Sequence, residues 1–124
     1  MTRINVVPVT ELCDKHLLAE YHEITRVFKL ARPCPDAPKE YTLGNGHVKF
    51  FYDKLGFITE RTKQLIAELS KRGYKVKLGV YNLEYNRAVH LDRRFWNDYT
   101  PTPEALEINR ARIAERISQF RRPV

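Results

Sequence analysis

TELCDKHLLAEYHEITRVFKL, residues 10–30, decides the fold class. Cys13, Leu17, Tyr21, Ile24 and Phe28 recur there at steps of three and four, which puts apolar side chains on one face of an α-helix. His16, Glu20 and Glu23 keep the same spacing about 100° around that helix. Lys15, His22, Arg26 and Lys29 form a third, basic side. The pattern predicts a helix over Thr10–Leu30 with a core stripe, an acidic stripe beside it and a basic flank. Thr10 is a natural cap, and Pro33, Pro35 and Pro38 end the element in a stiff connection.

Downstream, Gly44, Asn45 and Gly46 signal a turn, and helical character resumes around His47–Lys54. A clearer helix spans Leu55–Arg72, with Leu55, Ile58, Thr62, Leu65, Ile66 and Leu69 on one face. Gly73 is its stop, and Gly56 slightly weakens its start. Tyr74–Thr100 is irregular and reads mostly as loop. Its brief alternation around Lys75–Tyr81 would be a strand without a partner. Thr102, Pro103 and Glu104 then supply a cap, a first-turn proline and an acid at the positive end of a helix dipole. That last helix should reach about Phe120, with Leu106, Ile113, Ile117 and Phe120 facing the core and Ile108, Arg112, Arg116 and Gln119 on another side. The expected architecture is all-α: a compact single domain, residues 1–124, of three main helices with long connecting loops.

The chain has 124 residues, 43% hydrophobic and 30% charged, as an ordinary globule would. No apolar run is long enough for a membrane span, and the start lacks the apolar core of an export signal. Cys13 and Cys34 match no metal spacing, so reduced thiols in a cytoplasmic protein are the plain reading. The net charge of +7 suits a polyanionic partner, nucleic acid foremost, or else solvated surfaces alone. Arginines crowd the C-terminal stretch at Arg110, Arg112, Arg116, Arg121 and Arg122, and arginine grips phosphate bidentately.

Thr2 follows the initiator Met, so removal of Met1 would expose its α-amine, whose ordinary pKa is about 7.7–8.0 against about 10.4 for lysine. Such an amine beside a helix carboxylate is suited to imine chemistry. Taken singly, these residues have plainer readings. A second residue is usually a frayed tail, and Glu23 with Arg26 is a common surface pair. His16 fits a structural histidine bonded to Glu20, and His47 a cap or a loop histidine. Phe50, Phe51 and Tyr52 fit core packing. Phe95, Trp96 and Tyr99, beside Arg93 and Arg94, fit either a base-stacking surface or a loop folded on the core.

Longer blocks connect these features. MTRIN (residues 1–5), Glu11, Leu12, His16, Leu17, AEY (residues 19–21), Glu23 and RVF (residues 26–28) resemble the phage endonuclease V family. These are pyrimidine-dimer DNA glycosylases with abasic-site lyase activity. LGNGHVKFFYDKL (residues 43–55) is similar to that family's LGxGHVxFFYDKL, and LIAE (residues 65–68), KRG (residues 71–73), Asp98, Tyr99, Pro101 and ARI (residues 111–113) continue the likeness. The resemblance implies that the Thr2 amine displaces the damaged base as an imine, with Glu23 stabilising charge and moving protons for β-elimination. It implies duplex DNA holding a damaged base or abasic site as partner, no metal and no cofactor, and a monomer. Arg3, Arg26, Arg112 and Arg116 fall at positions that hold DNA, with Arg116 where the phage enzyme has lysine, and His16 at one packed beside the N-terminus. His22 replaces an arginine beside Glu23, the linker around residues 33–41 is shorter, and RRPV (residues 121–124) stands where the phage enzyme continues into an aromatic tail. These departures bear on lesion choice. The alternatives are the same lyase chemistry on another damaged base, and a basic nucleic-acid-binding module without catalysis.

Overall fold

The structure, a computed structural model, describes residues 4–31, 37–43 and 47–120. Four α-helices lie among them: α1, Asp14–Ala31; α2, Leu55–Lys71; α3, Gly79–Ala88; and α4, Pro103–Phe120. Short 3-10 turns cover Val9–Glu11, Lys49–Phe51 and Arg93–Phe95. The all-α class stands as expected, and no described helix is long and apolar enough to cross a membrane.

α1 buries Leu17, Tyr21, Ile24 and Phe28, the predicted stripe, and packs on both α2 and α3. Its start is a correction. Pro8 opens a 3-10 turn that holds Thr10, and buried Leu12 is extended, so the helix begins at Asp14 and Thr10 does not cap it. The predicted turn at Gly44, Asn45 and Gly46, and Pro33 and Pro35, lie outside the described residues.

α2 buries Leu55, Ile58, Thr62, Leu65 and Leu69 and ends as the glycine rule requires. Gly73 takes φ 95°, and the Tyr74 N–H reaches back 3.0 Å to the Leu69 carbonyl. Gly56 serves close approach. A Cβ there would lie 2.9 Å from Asp98 Oδ1 and 3.0 Å from the Trp96 carbonyl. That approach lets the segment after Arg93 seat on the start of α2, where the Phe57 N–H donates to Asn97 O at 3.3 Å.

The third of four helices corrects the expected count of three. α3 occupies part of the stretch read as loop. It has no side-chain cap, and its amphipathic pattern is weak because asparagines and Glu84 interrupt it. Tertiary contact defines it instead. Tyr81 and Tyr85, one turn apart, set their rings 6.1 and 5.9 Å from Phe28, and Tyr85 meets Trp96 at 5.9 Å. Trp96 also faces Phe28, and Tyr99 sits 5.1 Å from Phe50. The aromatic run after Arg94 is therefore a loop folded on the core. Phe50 and Phe51 are core as well.

α4 starts where predicted, with the Ala105 N–H donating to Thr102 Oγ1 at 3.0 Å. Its most buried side chains are Ala105 and Asn109, while Leu106, Ile113 and Ile117 are only half-buried. The inward face is thus turned from the predicted one, and a polar residue stands at its centre.

Candidate functional site: a clamped N-terminal segment beside α1

Ile4, Asn5, Val6 and Val7 are all buried, yet they join no helix and no sheet. A buried backbone must find hydrogen-bond partners, and here side chains supply them. The Ile4 N–H donates to His47 Nε2 at 3.1 Å. The Val6 and Val7 N–H groups both donate to Asn109 Oδ1, at 2.7 and 3.2 Å. The Val7 carbonyl accepts from the Arg61 guanidinium.

The clamping side chains also bind one another. Asn109 Nδ2 donates to Asn5 Oδ1 at 2.7 Å, and Asn5 Nδ2 donates to Glu20 Oε1 at 2.8 Å. Arg61 donates to both Glu20 oxygens, at 2.7 and 3.0 Å. The Arg61 and Glu20 side chains are 3% and 0% exposed. Glu20 is therefore not part of an acidic surface stripe; it is the buried centre of the clamp. Arg61 and Asn109 are functional positions that the sequence signals only weakly. Their signal was a polar residue at core spacing, Arg61 between Ile58 and Leu65 and Asn109 one turn after Ala105.

Among the predicted site residues, Thr2 and Arg3 lie outside the described residues. Glu23 is on α1, one turn beyond Glu20, half-buried, with Arg26 Nη1 3.7 Å from its carboxylate. His22 and Arg26 border a cavity of about 550 Å³ between α1 and residues 74–80, floored by Leu69 and Val76 and edged by Lys75 and Lys77. His16 is half-buried, and its pKa is pushed down by burial first and then by the charges of Lys15 and Arg116. The structure thus sets His16 near α4. Arg116 Nη1 donates to Gln119 at 3.3 Å, while its Nε is out of solvent without a hydrogen-bond partner among the described residues. Arg112 makes a loose 4.0 Å pair with Glu115. No three His, Cys, Asp or Glu side chains converge as a metal site among the described residues.

A basic, all-helical protein with a buried polar network holding its N-terminal segment beside a carboxylate-bearing helix fits the class of DNA-acting enzymes. The family is specific: the model of the pyrimidine dimer DNA glycosylases matches residues 1–82, and this chain belongs to that family. The match takes in the clamped segment, α1 and α2; Asn109, Arg112 and Arg116 lie beyond it.

Proposed function

We propose that the protein is a bifunctional glycosylase and abasic-site lyase acting, as a single-domain monomer, on cyclobutane pyrimidine dimers in duplex DNA. The Thr2 α-amine, freed by loss of Met1, attacks C1′ of the damaged deoxyribose. The bond from C1′ to the base breaks and the base takes up a proton, still joined to its neighbour through the cyclobutane ring. Opening of the sugar ring gives an imine between the Thr2 nitrogen and C1′. Loss of a C2′ proton then expels the 3′-phosphate, and water hydrolyses the imine to release the enzyme. Glu23 stabilises positive charge at the sugar and takes the C2′ proton, a role worth roughly 10²- to 10⁴-fold in rate. No metal or cofactor is needed.

The clamp on Ile4–Val7 is the observation that carries this reading. Asn5 touches Glu20, and Glu23 sits one helical turn away, about 5–6 Å between Cβ atoms. Three residue steps lead from Asn5 to Thr2 and span at most about 11 Å. The amine is therefore within tether reach of Glu23. Arg26 is exposed enough to share its guanidinium between Glu23 and a phosphate. Arg3, His22, Arg112 and Arg116 hold the strand, and His16 packs beside the terminus.

Borohydride reduction on an abasic-site duplex tests the chemistry. The expected product is one covalent adduct mapping by peptide mass spectrometry to the Thr2 nitrogen. An adduct at a lysine, or none with the mature terminus verified, overturns the mechanism. Nicking of ultraviolet-irradiated plasmid, compared with plasmid carrying oxidised or alkylated bases, tests the lesion.

A further inference from the structure

His47 is 2% exposed, and its ring is wedged edge-on against Tyr41 and Phe51, at 5.4 and 5.9 Å between centroids. Both ring nitrogens are engaged. Nδ1 lies 2.8 Å from the Thr42 carbonyl, which can only accept, so Nδ1 carries the proton. Nε2 receives the Ile4 N–H, which can only donate, so Nε2 must be a bare lone pair. The two contacts together admit only the neutral imidazole with its proton on Nδ1. An imidazolium would set two donors against each other at Ile4 and break that contact.

We infer that His47 is a positioning residue for the N-terminal nucleophile, whose tether its neutral Nε2 fixes through the Ile4 N–H. Among the described residues, the Ile4 N–H is the clamp point nearest in the chain to Thr2. The inference rests on the proposed amine chemistry and adds a pH dependence that the amine alone does not have. Several groups act on His47. Burial is the largest influence and lowers its pKa below 6.5. The Thr42 carbonyl, accepting from Nδ1, works against burial, the positive charge of the chain terminus works with it, and Glu20, across the clamp, favours protonation. Arg61, paired with Glu20, is the neighbouring cation. Free amine is lost with one proton as pH falls. Below the His47 pKa a second proton removes the positioned terminus as well.

The test is the rate of borohydride-trapped adduct formation on an abasic duplex between about pH 5 and about pH 8.5. For the unaltered protein, the slope of log rate against pH should steepen from one toward two at the acid end. His47→Gln keeps an acceptor for Ile4 but does not titrate, so its slope should stay near one while much of the rate survives. His47→Leu has no acceptor and should lose roughly 10- to 100-fold in rate, the cost of a misplaced nucleophile, with little change in affinity for a duplex bearing a non-cleavable abasic analogue. A wild-type rate and profile in His47→Leu, or a slope of two in His47→Gln, overturns the inference and leaves the amine mechanism standing. If His47→Leu does not fold, the slope of His47→Gln decides alone. Failure of the unaltered protein to form an adduct at Thr2 overturns the amine mechanism and this inference with it.

Discussion

Arg61 grips Glu20 through two nitrogens, at 2.7 and 3.0 Å, with both side chains out of solvent. Two charges so placed lose much hydration, and removing one strands the other. Glu20→Gln or Arg61→Met should each cost about 3–5 kcal/mol of stability by urea unfolding. The Glu20→Gln, Arg61→Met double variant should cost clearly less than the sum of the singles. Additive losses would mean that the two charges are independently solvated.

Glu23, one turn away, behaves oppositely. It is half-buried and outside the clamp, so Glu23→Gln should change stability by less than about 0.5 kcal/mol. Adduct formation should nonetheless fall by roughly 10²- to 10⁴-fold while binding of damaged duplex persists. Retained activity would remove Glu23 from the chemistry.

The glycine inside α2 and the one just past its end differ in what they tolerate. Gly56→Ala drives a methyl against the Trp96 and Asn97 carbonyls, at 3.0 and 3.1 Å, and should cost about 1–3 kcal/mol as overpacking does. Gly73→Ala meets open space but keeps a positive φ, for a penalty of about 1–2 kcal/mol. Thermal unfolding of the two variants checks both values.

Acid should weaken the fold in a window set by histidine. Burial lowers both His47 and His16 below 6.5. Above that pH both folded and unfolded chains keep them neutral, and their contribution is fully present. As pH drops below 6.5 the unfolded chain takes the protons first, so stability declines until the folded pKa values are passed. Glu11 and Asp14, held low by hydrogen bonds from Arg110 and Arg72, act at lower pH and are exposed, so they add little. His47→Gln should flatten part of the decline in urea unfolding at stepped pH. An unchanged decline would assign it elsewhere.

Arg112 and Arg116 are on α4 beyond the residues the family model matches. As phosphate contacts, Arg112→Gln and Arg116→Gln should each lower the slope of log affinity against log salt by about one, without changing lesion preference. An unaltered slope would place DNA on another face.

Periodicity made α1, α2 and α4 legible, because each repeats apolar residues against polar ones at helical spacing. It failed for α3, whose inward side is Tyr81, Tyr85 and Ala88 among asparagines, and whose order comes from Phe28 and Trp96. Long sequence blocks carry the family, which the matching family model bears out. The interior of the candidate site was not legible: Glu20 read as part of an acidic face, and only the fold reveals that Arg61 and Asn5 meet it. A single sequence gives the facing of a helix but not the distant partner that makes a buried charge tolerable.

Val6 and Asn109 are 103 positions apart. Translation delivers residue 6 well before residue 109. The segment made earlier is therefore assigned its place by a helix made later. Until α4 emerges, a growing polypeptide holds those early residues without their final fastening.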